Sequence, residues 1–245
     1  MRKLLLAAIA ALLAAGSAGA IINGEPDGNR HPYVGVIGFL NPDGSQGVLC
    51  SGTLISPTVV LTAGHCTYRS PAGFVWFTPQ AFAGPPVVGR PVTHPDFDPE
   101  LNTPNSGDMG VVLLSRAVPM QTYGALPTAG YLDSFSSKKG QQNRDVTVVG
   151  YGLQSVKPDL FTGERMLGRA QIRNINNSTV RDFGLQTSSS ACSGDSGGPV
   201  LHGDSNLVLA VTSFGKNANC VGNVYSYRTD SAAARAFLDD FVPVP

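Results

Sequence analysis

Cys192-Ser193-Gly194-Asp195-Ser196-Gly197-Gly198-Pro199 is the stretch on which the reading of this chain turns. A serine among small residues can stand exposed on a tight turn. Glycines at 194, 197 and 198 let backbone N–H groups face a bound molecule instead of a side chain. Asp195 sets a carboxylate beside the serine, and Cys192 offers the loop an anchor. Glycine is common here, 29 of 245 residues, so Gly194-x-Ser196-x-Gly198 alone is equally a glycine-rich surface turn. The rest of the chain has to supply a base and an acid to orient it.

Histidine is the natural base near neutral pH. His65 ends the apolar run Val59-Val60-Leu61-Thr62-Ala63-Gly64 and is followed by Cys66. His31 and His94 each precede a proline and read as turn residues, and His202 follows the serine by only six positions, in a hairpin. The acid must be shielded from water. Asp108 opens Asp108-Met109-Gly110-Val111-Val112-Leu113-Leu114, and a charge at the mouth of a buried strand needs a partner. Asp96 and Asp98 lie in a Pro-containing turn and read as solvated. The serine motif also matches the nucleophile elbow of α/β-hydrolases, which place acid and base after the serine. Only residues 197–245 follow Ser196, and His202 is their sole histidine, so that reading fails. The order His65, Asp108, Ser196 is that of the chymotrypsin triad.

Met1–Ala20 reads as a secretory signal peptide: a basic start at Arg2-Lys3, an apolar stretch Leu4–Leu13, and Ala18-x-Ala20 as the cleavage site. The apolar stretch is short for a membrane anchor. Of 17 basic and 17 acidic side chains, Arg2 and Lys3 belong to this leader, which leaves residues 21–245 with a formal charge of −2. Neither a nucleic-acid partner nor, after cleavage, a membrane partner is expected. The expected location is extracellular or periplasmic. Four cysteines in an exported chain read as disulfides, and no Cys-x-x-Cys or His-x-x-x-His spacing suggests zinc.

Short runs rich in Val, Ile, Leu and Thr, broken by Gly and Pro, predict an all-β fold. Strands are expected at Tyr33–Phe39, Val48–Ile55, Val59–Thr62, Val111–Leu114, Asp145–Tyr151, Gly168–Ile172, Leu207–Ser213 and Val224–Tyr227. Ser231–Val242 reads as a docking helix, capped by Asp230 or Ser231, with Phe237, Leu238, Phe241 and Val242 on one stripe. Residues 125–142 lack strand character and are a natural boundary.

Six blocks in order resemble the trypsin/chymotrypsin-like serine endopeptidases: Ile21-Ile22-Asn23-Gly24, Thr62-Ala63-Gly64-His65-Cys66, the Asp108 run, Val149-Gly150-Tyr151-Gly152, Gly194–Pro199 and Ser213-Phe214-Gly215. Together they span essentially the whole chain after the leader. The resemblance implies two packed six-stranded antiparallel β-barrels with a C-terminal helix. One peptidase unit, 21–245, would have its N-terminal barrel in 21–130 and its C-terminal barrel and helix in 131–245. Ser196 is then the nucleophile, His65 the general base and Asp108 its orienting acid, and the N–H groups of Gly194 and Ser196 form the oxyanion hole. Disulfides Cys50–Cys66 and Cys192–Cys220 follow from the same likeness. So does an activating ion pair between the Ile21 amine, freed by cleavage after Ala20, and Asp195.

By the same resemblance Ser190 falls at the base of the specificity pocket; because it is not Asp, a chymotrypsin-like preference is expected and a trypsin-like one is not. Gly215 leaves one pocket wall open, Asn223 or Gly222 falls at its floor, and Ser213-Phe214-Gly215 offers its backbone edge to substrate. No cofactor or metal is expected, and residues 71–90 contain no Asp or Glu to hold calcium. Partners would be protein or peptide substrates and proteinaceous protease inhibitors, for a monomeric enzyme. Asn176-Asn177-Ser178 and Asn177-Ser178-Thr179 match glycosylation sequons. The alternatives are an inactive homologue that only binds proteins, which should lack a triad member or an oxyanion-loop glycine, and an esterase on the same site. None of those residues is missing.

Overall fold

The computed structural model describes residues 21–22, 24–100, 106–136, 144–175, 179–183, 191–215 and 217–245, without the side chains of 179–183 and Asn223. The expected leader Met1–Ala20, Ser190, residues 176–178 of the sequons and the side chain of Asn223 therefore lie outside the described residues. The strands are β1 (Glu25–Pro26), β2 (Val34–Leu40), β3 (Gln46–Ser56), β4 (Val59–Thr62), β5 (Gly73–Trp76), β6 (Val87–Thr93) and β7 (Gly110–Leu114) in the first half. The second half adds β8 (Asp145–Gly150), β9 (Ser155–Val156), β10 (Asp159–Leu160), β11 (Met166–Ile175), β12 (Thr179–Phe183), β13 (Pro199–His202), β14 (Val208–Gly215) and β15 (Asn223–Arg228). A one-turn helix α1 (Gly64–Thr67) follows β4, and α2 (Ala232–Asp239) closes the chain.

The first-half strands form a closed antiparallel barrel in the order β2-β3-β4-β7-β6-β5. Alternation builds it: Ile37, Cys50 and Val75 point inward, while their neighbours Gly38, Leu49 and Phe74 are only part-buried. In the second half, antiparallel pairings run β8-β11-β12-β15-β14-β13 and return to β8, a second ring of six, with β1 docked on β11 as a seventh strand. All eight expected strands are present, with Val59–Thr62 matching at both ends. The sequence pattern did not reveal β1, β5, β6, β9, β10, β12 or β13. Residues 125–142 carry no strand among those described, only an isolated Ala125–Leu207 bridge and a 3-10 turn at Tyr131–Ser136.

The C-terminal helix is shorter than expected, ending at Asp239, although Val242 stays buried. Ser231 caps it by accepting the Ala234 N–H at 3.3 Å. Its buried face, Ala234, Phe237 and Leu238, joins the core cluster that also holds residues of both rings, among them Leu61, Val111, Tyr151 and Val211. His94 packs its ring 5.0 Å from Phe237, and its backbone N–H binds Met109. It is thus a buried helix-docking residue as well as a turn residue.

A buried polar cluster ties the N-terminal segment and both rings together. Arg165, just before β11, is 1% exposed and ion-pairs through Nε with the fully buried Asp27 at 2.9 Å. Its other nitrogens donate to the carbonyls of Val34 and Phe77, to the Tyr151 hydroxyl and to Asn29 Oδ1. His31, expected only as a turn residue, completes the cluster with Nδ1 2.5 Å from Asp27 Oδ1. Burial would raise the Asp27 pKa, but the His31 hydrogen bonds and the Arg165 charge outweigh it and bring it to about 2.

Arg165→Met leaves Asp27 without its guanidinium and is expected to cost about 3–5 kcal/mol, read as a lower urea midpoint at pH 7. The folded Asp27 value lies below its unfolded value, so its contribution is complete above about pH 4 and fades as pH falls from there through 2. Asp27→Asn should remove roughly 2 kcal/mol of the wild-type loss of stability over that window; identical pH profiles would contradict the assignment.

Candidate active site

The site begins where β4 ends. Its last residue, Thr62, leads through Ala63 into the single turn of α1, which presents His65. The Cys50–Cys66 disulfide joins that turn to β3, with Cα atoms 6.4 Å apart. Asp108 sits two residues before β7 and is fully buried. The backbone N–H of His65 donates to Asp108 Oδ1 at 2.8 Å, and His65 Nδ1 lies 2.9 Å from Oδ2 and 3.1 Å from Oδ1. The imidazole is therefore held by the acid through both ring and backbone.

Ser213 adds a contact that sequence reasoning missed. Expected only along a substrate-binding edge, it also donates its hydroxyl to Asp108 Oδ2. Burial pushes the Asp108 pKa up, but the His65 hydrogen bonds and charge and the Ser213 hydroxyl outweigh it and leave the carboxyl below its ordinary range.

Ser196 is carried by the loop before β13. Its hydroxyl donates to the Ser213 carbonyl at 3.5 Å, a long contact, rather than to His65. His65 and Ser196 nevertheless line one cleft of about 550 Å³, together with Ala191, Phe214, Gly215 and Val224. Phe214 is fixed there by stacking on Tyr225 at 4.9 Å. The Cys192–Cys220 disulfide links the loop to the segment before β15, with Cα atoms 5.2 Å apart. A larger cavity, about 1030 Å³, opens near His31, Met120 and Arg169, and none of the three expected catalytic residues lines it.

The loop corrects one expectation. Gly197 and Gly198 do not aim their N–H groups at a ligand: they donate to the carbonyls of Thr212 and Asp195. Glycine is required at 197 for space, because a Cβ there would lie 2.0 Å from Thr62 Oγ1. At Gly194, φ is +98°, a conformation that favours glycine. The N–H groups of Gly194 and Ser196 meet no acceptor among the described residues. Ser51 ties this loop to the first barrel. Its N–H donates to the Ser196 carbonyl at 2.7 Å, and its hydroxyl donates to the Gly194 carbonyl and accepts the Tyr151 N–H. Ser51 follows Cys50, and no local pattern marks its role.

Asp195 points away from the cleft contacts into the protein, where it accepts the N–H groups of Gly152 and Cys192 at 2.8 and 2.9 Å. No cation among the described residues reaches it, and burial raises its pKa to about 7 despite those two donors. Ile21 is also fully buried, its side chain in the core of the second ring with Leu132, Val146 and Ala191. The Cys50, His65 and Cys66 side chains lie within 4.8 Å of one another, as metal ligands do, but both sulfurs are spent in the disulfide and offer no thiolate.

The family profile described as Trypsin matches residues 21–238. The chain belongs to the trypsin family. Among trypsin-family relatives, it is 27% identical over 213 residues to the collagenase of Hypoderma lineatum, covering 82% of this chain and 79% of that one. Against the ovochymase of Halocynthia roretzi it is 26% identical over 188 residues, 68% of this chain but only 12% of that protein. A solved HL collagenase structure superposes with a TM-score of 0.75 at 24% identity, covering 91% of this chain and all of the other. A scabies mite inactivated protease paralogue superposes with a TM-score of 0.72 at 14% identity, covering 92% and 99%. The trypsin fold is thus shared with a protein described as inactivated, and activity has to be argued from the site.

In the uncut chain, the folded Asp195 pKa lies above the unfolded one, so stability is greatest below about pH 4 and falls as pH rises to 7. On the order of 4 kcal/mol is involved. Thermal melts of the uncut Ser196→Ala chain should show this decline, and adding Asp195→Asn should flatten it; a decline of equal size in both would contradict the burial of an ionising group here.

Proposed function

We propose that this chain is an exported serine endopeptidase. Residues 21–245 form one peptidase unit, with an N-terminal barrel in 21–130 and a C-terminal barrel and helix in 131–245. The observation that carries the reading is the His65 imidazole, gripped by fully buried Asp108 and lining the same cleft as Ser196.

In this reading Ser196 Oγ turns from the Ser213 carbonyl toward His65, which takes its proton as the oxygen attacks the scissile carbonyl. The oxyanion meets the two N–H groups, Gly194 and Ser196, that lack acceptors among the described residues. His65 then gives its proton to the leaving amine, and water releases the acyl group by the same route. Asp108 holds the imidazole in one tautomer and stabilises its charged form.

The resemblance assigns the pocket base to position 190, and a serine there offers no fixed anion to a cationic side chain. With Ala191, Gly215 and Val224 in the cleft wall, large apolar or aromatic residues before the scissile bond are favoured. Cleavage after Ala20 is the activating step: the freed Ile21 ammonium pairs with Asp195, which lacks a cation among the described residues. Ile21 buried in the second core supports the same step.

Ser196→Ala should lower peptide-amide turnover roughly a million-fold and abolish labelling by a serine-directed phosphonylating reagent. Wild-type protein that takes no label is a binding homologue, and one that cleaves esters but no amide is an esterase. Sequencing the N-terminus of the active, secreted protein should give Ile21; any other start on active enzyme overturns the activation step.

A further inference from the structure

The cavity of about 1030 Å³ lies at the seam between the two rings. Residues 29–33 and 77–79 line it from the first half of the chain, 120–122 from the connection between the rings, and 167, 169 and 204–206 from the second ring. None of these residues lines the cleft of His65 and Ser196.

Two polar side chains at this cavity are fixed from behind and unpaired in front. The buried Asp27–Arg165 pair holds both. The His31 side chain is only 9% exposed; its Nδ1 lies 2.5 Å from Asp27 Oδ1, and its backbone N–H donates to Oδ2 at 3.1 Å. Asp27 is ionised at neutral pH, so the shared proton belongs to Nδ1. Nε2, the other ring nitrogen, has no partner among the described residues. Asn29 accepts Arg165 Nη2 through Oδ1 at 2.5 Å. Its amide nitrogen is thereby turned away from the guanidinium, and it too lacks a partner among the described residues.

The fixed charges around His31 cancel. Arg165 is met by Asp27, Arg30 by Glu25 at 2.9 Å, and Arg169 by Asp204. Tyr33 stands edge-on to the imidazole at 5.9 Å and stays neutral, because burial pushes its pKa up to about 12. A proton gained at Nε2 therefore adds one uncancelled positive charge and a second donor beside the Asn29 amide. Two such donors match the two oxygens of a carboxylate. Tyr33, Phe77, Met120 and Leu167 add apolar wall, which a bare inorganic anion would leave unused.

We propose that the seam cavity binds the C-terminal end of a peptide whose last residue is apolar. Its α-carboxylate sits on His31 Nε2 and Asn29 Nδ2, and its side chain packs among Tyr33, Phe77, Met120 and Leu167. Binding draws a proton onto His31. Cleavage after a large apolar residue, as proposed above, releases ends of this kind; that source rests on the endopeptidase reading, and the site does not.

The chain has four histidines, so an isotope label on histidine reports the seam and the cleft at once. Labelled Ser196→Ala protein, processed to the Ile21 start, is titrated with acetyl-Ala-Phe as the free acid and as its amide, followed by NMR. His31 is assigned by its contact with the Tyr33 ring, and His65 by its loss in His65→Gln. The free acid should shift the His31 signal saturably, about tenfold more tightly than the amide or better. Calorimetry at pH 7 in buffers of different ionisation enthalpy should show proton uptake. Thr122 is exposed on the cavity wall. Thr122→Glu sets a like charge near the carboxylate and should weaken the acid about fivefold, with the amide unchanged. Equal affinity for acid and amide, binding without proton uptake, or an affinity unmoved by Thr122→Glu overturns the site. A shift confined to His65 seats the peptide in the cleft and also overturns it. A His31 response, in a protein whose wild type takes no phosphonyl label, keeps the site and overturns the endopeptidase reading. A labelled, cleaving enzyme with a silent His31 does the reverse.

Discussion

A carboxylate taken out of water must be met by a cation or by several hydrogen-bond donors, and four buried aspartates organise this molecule around that requirement. Asp27 has Arg165 and His31, and Asp230 has Arg228 through Nε and Nη2, each at 2.8 Å. Asp108 has His65 and Ser213. Asp195 has only two backbone N–H groups among the described residues. The first two are structural staples: one fastens the N-terminal segment to both rings, and the other also holds the start of the 3-10 turn through the Leu132 N–H. The other two belong to the candidate active site, Asp108 against His65 and Asp195 next to Ser196 in the chain, and there the manner of compensation bears on the proposed chemistry.

Asp108 lies at a strand mouth, two residues before β7. Burial without donors would favour its protonated form, and exposure would surrender the imidazole to water. The hydrogen bonds and charge of His65, with the Ser213 hydroxyl, keep it ionised, and the same bonds orient the imidazole. The donors come from both rings, Ser213 on β14 and His65 after β4. A shift between the rings would therefore reach His65 directly. Ser51 closes the same connection from the other side, binding the backbone of Ser196 and Gly194.

Much of this was legible because short-range chemistry leaves local marks. The His65 turn, the Asp108 run and the 192–199 loop are each compact patterns, and their order along the chain separated one fold from another. Strands of continuous Val, Ile and Leu, such as β4 and β7, were readable for the same reason. By contrast, β5 and β6 carry Gly73, Gly89 and Pro91, which read as breaks; pairing within a closed barrel overrides that local preference. The Asp27–Arg165 pair joins residues 138 positions apart, and Ser51 meets the loop 143 residues away. No periodicity or spacing announces such partners. The glycines at 197 and 198 were read as ligand-facing because their need for space arises only once Thr62 and Val149 are packed against them.

The two rings contribute unequally to the rigidity of the site. On the first, His65 and Asp108 stand on an α1 turn bridged to β3 and on the residue pair before β7, within a closed barrel. Their geometry follows from strands that are paired on both sides. The loop that carries Ser196 has no such frame. It is shaped by Ser51, by a disulfide to the segment before β15, and by a carboxylate that points inward without a charge partner among the described residues. A loop held in that way is the part of the site most responsive to a new cation. The Ile21 side chain is already buried in the core of the second ring, so the proposed cleavage after Ala20 would supply a cation without moving that side chain into a new core.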